Sequence, residues 1–117
     1  MSLNKQFRQN YITAGVTHIF TKWVTSSRLS PSFGGHGSLL YRTGTIVEEP
    51  NAKISDKQCD VGIHVFRRGY RPEWAGLCNP RHRYIALDVE VASEDICFAG
   101  LPGNDARLRV KRVKVLT

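Results

Sequence analysis

Arg83-Tyr84-Ile85-Ala86-Leu87-Asp88-Val89-Glu90-Val91 alternates without interruption. Ile85, Leu87, Val89 and Val91 share one parity, and Tyr84, Ala86, Asp88 and Glu90 share the other. Successive strand side chains point to opposite faces, so 83–91 reads as a strand with one apolar and one wetted face. That alternation is the mark of an antiparallel sheet, because parallel strands are apolar on both sides.

Similar signals lie on either side. Val61, Ile63 and Val65 share a parity opposite to Gly62, His64 and Phe66, which reads as a short buried strand over 61–66. A strand is expected at 39–47, ended by Glu48-Glu49-Pro50-Asn51, and a shorter one at 95–98. Pro102-Gly103-Asn104-Asp105 is a turn signal. In the last strand, 106–116, Leu108 and Val110 are in phase, but Val113 and Val115 take the opposite parity. A slip of one residue near Lys111-Arg112 points to a β-bulge.

The first third is ambiguous. Ile12, Val16, Ile19, Phe20, Trp23 and Val24 fall at helical spacing, while Thr13, Thr17, Thr21 and Thr25 favour strand. The reading is irregular or short-strand structure with a possible helix at 4–11, within a possible irregular arm over 1–38 that precedes a β-rich core over 39–117. Residues 28–38 are a loop, broken by Pro31, Gly34, Gly35 and Gly37. Residues 67–82 are a long arginine-rich loop in which Pro72-Glu73-Trp74 opens a helical turn. The expected class is α+β and strand-rich. It is a single twisted antiparallel sheet or a partly open barrel, with few short helices, in one domain over 1–117.

The chain carries a formal charge of +7, and the excess is not spread evenly. Residues 84–105 hold five acids and no Lys or Arg, and 106–117 hold five bases and no acid. The whole excess therefore lies in residues 1–83, densest at Arg67, Arg68, Arg71, Arg81 and Arg83. Such a balance favours polyanionic partners. The basic tail has a plainer explanation, with Asp88 and Glu90 facing Arg107 and Arg109 across an antiparallel pair. No run of 18 or more apolar residues is present, so no membrane partner is expected. The opening Met-Ser-Leu-Asn-Lys-Gln has no apolar signal region, and three widely spaced cysteines make no disulfide framework. A cytoplasmic location with reduced thiols is the expectation.

Three constellations could carry chemistry. Cys59, His64, Cys78 and His82 offer two thiolates and two imidazoles to zinc, but at a spacing that matches no familiar finger. Chance grouping is the plainer reading, so no metal is assigned. Gly34-Gly35-His36-Gly37-Ser38 could cradle phosphate on backbone N–H groups. It lacks the Lys-Ser/Thr ending of a P-loop, and no cofactor follows from it. The third set is Arg42, His64, Arg67, Arg68, Arg71, Trp74 and Arg83. Arginine forks suit phosphate, histidine can move a proton near neutral pH, and tryptophan can stack a base. The alternative is a solvated arginine face with His64 bonded in the sheet. Between Trp23 and Trp74, the latter is better placed for stacking because it lies in the arginine-rich loop.

The runs Leu40-Tyr41-Arg42-Thr43-Gly44, Cys59-Asp60-Val61-Gly62-Ile63-His64-Val65 and Arg83 to Val91 resemble small bacterial and phage-borne domains of unknown function. The resemblance covers about residues 38–117. It implies a compact α+β or mostly-β domain with no established activity. More distantly, an arginine after a strand-borne tyrosine and the Gly62-Ile63-His64-Val65 strand resemble parts of ADP-ribosyltransferase-like folds. Glu90 lies on a strand, but nothing in the sequence assigns it as the glutamate such an enzyme requires.

Three functional readings follow. The first is a non-enzymatic accessory or binding domain for an anionic ligand, such as nucleic acid or another phosphate-containing partner. The second is a nucleotide-dependent transferase, ADP-ribosyl- or phosphotransferase-like, which needs Arg42 and His64 to converge on one face. The third is a structural or assembly protein, homo-oligomeric in one version.

Overall fold

The computed structural model describes residues 8, 16–30, 39–55, 61–72, 84–99 and 107–117. Apart from a 3-10 turn at Ser93–Asp95, every element these residues form is a strand. They are β1 (Thr17–Thr25), β2 (Ile46–Glu48), β3 (Ile63–Arg67), β4 (Tyr84–Ala92), β5 (Ile96–Ala99), β6 (Arg107–Val110) and β7 (Arg112–Val115). All pairings are antiparallel, in one seven-stranded sheet of order β2-β7-β4-β1-β3-β6-β5. The α+β class and the partly open barrel with short helices are therefore corrected to an all-β sheet. Of the helix expected at 4–11, only Arg8 is described, and it is helical.

The ambiguous first third supplies the centre of this sheet. β1 pairs along its whole length with β4, from Thr17↔Ala92 to Thr25↔Tyr84, and on its other side with β3. Residues 17–25 are thus a central strand rather than part of an arm. Phe20 and Val24 lie among the core residues, but His18 and Lys22 share their parity. Two polar residues on the core face break the alternation that would have revealed the strand.

The expected strand at 39–47 forms only over Ile46–Glu48. Before it, Leu40 makes an isolated bridge with Leu29, and Gly44 turns the chain at φ 82°. Arg28 holds this corner. Its Nε donates to Tyr41 O at 2.6 Å, and its Nη2 donates to Thr43 Oγ1 at 3.1 Å and to Thr117 O at 2.8 Å. Tyr41 is thereby seated in the core at 1% exposure.

The slip at Lys111 is more than a bulge. β6 lies between β3 and β5, whereas β7 lies between β2 and β4, four places away in the sheet. In a flat sheet four places span about 19 Å. Two residues of chain reach at most about 7 Å, so the sheet cannot be flat. It curls until one kinked segment, 107–115, serves both halves. At the kink, Lys111 N–H donates to Asp95 O at 2.8 Å and Lys111 O accepts from Glu49 N–H at 2.9 Å. Asp95 precedes edge strand β5 and Glu49 follows edge strand β2, so the two edges approach each other at Lys111 without pairing. Changing parity there keeps Leu108, Val110, Val113 and Val115 all on the inner face, each at 1% exposure or less. One hydrophobic cluster runs from Val47 on β2 to Ile96 and Ala99 on β5. No helix among the described residues is long and apolar enough to cross a membrane.

The charge pairing expected between β4 and the last strand also changes. Arg107 and Arg109 lie opposite Phe66 and His64 of β3, while Glu90 lies opposite Lys114 of β7. Asp88 meets Arg68 instead, at 3.7 Å.

Because Lys111 acts at the kink through its backbone, Lys111→Ala should leave stability within about 0.5 kcal/mol of the parent. Lys111→Pro removes the N–H bonded to Asp95 and should cost about 1–3 kcal/mol in urea unfolding. Equal stability of the two variants would contradict this account of the corner.

Candidate functional site

The outer face of β1, β3 and β6 carries the residues of interest. Phe66 lies opposite Thr21 of β1 and Arg107 of β6, on the face away from the core. It is 3% exposed because the chain that follows β3 folds back over it. Gly69 makes that return at φ 83°, a left-handed conformation that side chains other than glycine adopt with strain. Three contacts then fix the loop. Gly69 N–H donates to Thr21 Oγ1 at 2.9 Å, and Trp23 Nε1–H donates to Tyr70 O at 2.9 Å. The Tyr70 ring stacks on Phe66, with centroids 5.5 Å apart and planes 18° from parallel. Arg107 Cζ lies 5.5 Å from the Phe66 centroid, a cation–π contact. Arg68, Tyr70 and Arg71 are all exposed on this anchored loop. The Arg68–Asp88 pair is long, and its side chains are 63% and 36% exposed, so it restrains Arg68 only weakly.

Beside the loop lies a buried basic centre. Arg109 is fully buried, yet its guanidinium bonds to backbone carbonyls and a hydroxyl rather than to a carboxylate. Its Nη1 donates to Lys53 O at 2.7 Å and Val61 O at 3.0 Å, and its Nη2 to Ser55 Oγ at 2.8 Å. These bonds hold together the two chain ends that flank 56–60. A Cβ at Gly62 would stand 2.5 Å from Arg109 Cγ, so only glycine lets the arginine stem pass.

From the inner side, Lys22 Nζ donates to His64 O at 2.8 Å and sits 5.4 Å from the Tyr41 ring centroid. Burial, reinforced by the nearby Arg107 charge, pulls its amine down to about 7. Burial, helped by Glu49, pushes the Tyr41 phenol up beyond the usual range.

Arg68 and Arg71 stand together on the loop with Tyr70. Arg67 precedes them on β3, but it lies opposite Phe20 and so takes the inner-face parity. His64 lies opposite the buried Arg109. Arg42 is exposed in a separate turn, where its carbonyl accepts from Thr45 N–H at 3.1 Å. Arg42 stands in the turn before β2 and His64 on β3, so the two residues of the transferase reading belong to different elements. Trp74 and Arg83, and Cys59, Cys78 and His82 of the zinc set, lie outside the described residues, as does the glycine-rich loop. Among the described residues, no group of three or more His, Cys, Asp or Glu could hold a metal ion.

Two other groups invite a catalytic reading and do not support it. His18 Nε2 lies 3.3 Å from Ser93 Oγ, but that hydroxyl gives its proton to Val16 O at 2.9 Å. His18 is then the donor at Ser93, the reverse of a base activating a nucleophile. Cys97 is buried, and burial pushes its thiol up, which disfavours the thiolate a nucleophile needs.

Sequence reasoning missed the parts that anchor the loop: Thr21, Phe66 and Tyr70. Tyr70 had a signal, since it is an aromatic residue between Arg68 and Arg71, whereas the threonine hydroxyl had none. No protein-family model, curated protein or solved structure matches this chain, so the reading of the site rests on its geometry.

Gly62→Ala should lower stability by about 1–3 kcal/mol through overpacking against Arg109, measured by denaturant unfolding. Lys22 sets a pH signature. Between about 7, the folded value, and 10.5, the ordinary one, the unfolded chain holds a proton that the folded chain lacks. Unfolding free energy should therefore rise across that window, by a few kcal/mol at most, and lose this contribution below it. Lys22→Met should flatten the rise and stabilise the protein near pH 6. A parent and a variant with parallel pH profiles would refute this account of the buried amine.

Proposed function

We propose that this chain is a non-enzymatic binding module for a phosphate-bearing polyanion, nucleic acid in the first instance. It engages its partner through the loop after β3. The observation that carries this reading is the anchored presentation of exposed Arg68 and Arg71 around Tyr70. Guanidinium groups match phosphate oxygens in two-pronged geometry. A loop already tied to Thr21 and Trp23 gives up little conformational freedom on binding. The charge distribution agrees, since the excess of +7 lies in the part of the chain that contains this loop. Arg112 offers a contrast on the same chain, because it is held by Glu48 at 2.7 Å. His64 lies on the outer-face parity of β3 before the loop and is a supporting member of the set, with Trp74 and Arg83 further along the chain, whereas Arg67 takes the inner-face parity.

The test is fluorescence anisotropy with labelled oligonucleotides of about 20 nucleotides, titrated from about 50 to 200 mM salt. Binding should weaken steeply with salt. Arg68→Ala with Arg71→Ala should reduce affinity about tenfold or more and lower the salt slope by about 1–2. Arg112→Ala should leave both nearly unchanged. No binding at the lowest salt, or binding indifferent to salt, would overturn the proposal.

A further inference from the structure

The loop holds one feature that phosphate binding does not use. Tyr70 is 38% exposed, although its ring stacks on Phe66, which is 3% exposed. The inner aromatic is thus sealed into the protein while the outer one keeps much of its surface in water. Tyr70 covers Phe66 with one side of its ring, and the surface it leaves open between two arginines packs, among the described residues, against nothing else that holds the loop. We infer that Tyr70 is a stacking platform for an unpaired base, and that the partner is single-stranded rather than double-stranded nucleic acid. This inference rests on the polyanion-binding reading and narrows it.

The physical argument has three steps. Stacking on Phe66 and the Trp23 Nε1–H bond to the Tyr70 carbonyl hold the ring in place before any ligand arrives. A base placed on it extends an existing stack and pays little ordering cost. In a duplex, base faces are already covered by their neighbours, and opening a step costs a few kcal/mol. Arg68 and Arg71 can then take the phosphates on either side of the stacked base, while the ring accepts any base face. The partner is expected to be chosen by strandedness and only weakly by sequence.

The experiment uses the full chain with single-stranded and duplex oligonucleotides of matched phosphate number, at one salt concentration. It includes a strand carrying the fluorescent base 2-aminopurine. The parent should favour the single strand by about tenfold or more and quench the 2-aminopurine signal. Tyr70→Phe keeps the ring and should retain both properties. Tyr70→Leu keeps an apolar cover on Phe66 without a ring. It should lose the quenching and the single-strand preference. Equal affinity of the parent for the two forms, or an unchanged preference in Tyr70→Leu, would overturn the inference. In that case the arginine-dependent binding still stands. Absence of salt-sensitive binding to either form would remove both.

Discussion

Residues 107–115 have to belong to two places in the sheet at once. β6 and β7 are separated by Lys111 alone, yet they lie four places apart in the sheet, with β4, β1 and β3 between them. Only a curled sheet satisfies that constraint, and the rest of the architecture follows from it. Curling encloses the inner face, so a chain whose described residues form no helical layer can still bury Leu108, Val110, Val113 and Val115 together. It also brings the flanks of both edge strands to Lys111, where the kinked backbone bonds to Asp95 and Glu49. A β-strand that switches between two halves through a kink is a known way to turn such a corner.

The same segment organises the outer face. Arg109 projects from β6 on the side opposite Leu108 and Val110 and ties down Lys53, Ser55 and Val61. Three hydrogen bonds to a charged group contribute about 1.5–3 kcal/mol each. Removing a guanidinium from water costs several kcal/mol. The terms are of similar size, so the buried arginine serves position more than net stability. Gly62 is required for the same reason, because its missing side chain gives the Arg109 stem its path. Arg107, two residues earlier, lies against Phe66, on which Tyr70 rests. The exposed loop of Arg68, Tyr70 and Arg71 is thus built on side chains of β1, β3 and β6, and its presentation depends on their register.

Legibility differed between strands for a physical reason. β4 could be read because its inner face is wholly apolar and its outer face is mostly polar. β1 read only as irregular or short-strand structure, although it is as long and more central. Its inner face includes Lys22, which is tolerated because its amine meets the His64 carbonyl and the Tyr41 ring. It also includes His18, stacked on Phe20 and bonded to Ser93. Apart from Phe20, the partners in these accommodations (His64, Tyr41 and Ser93) are remote in the chain, so no local pattern announces them. The same holds for the site. Exposed arginines can be counted in the sequence, but nothing local pairs Thr21 with Gly69 or Trp23 with Tyr70, nor directs Arg67 away from Arg68.

By itself, the sequence determined the strand character of 84–92, 63–67 and 107–115, the parity change near Lys111, and a basic excess in residues 1–83. These are properties of short range: side-chain alternation, turn residues and charge. Only the tertiary structure decided that β1 is central, that the parity change is a passage between two halves of a sheet, and that Arg67 takes the face opposite Phe66. Those outcomes depend on which strands pair and in what register. Pairing is settled by the burial of one shared core and by hydrogen bonds between residues tens of positions apart. A linear pattern does not contain that information.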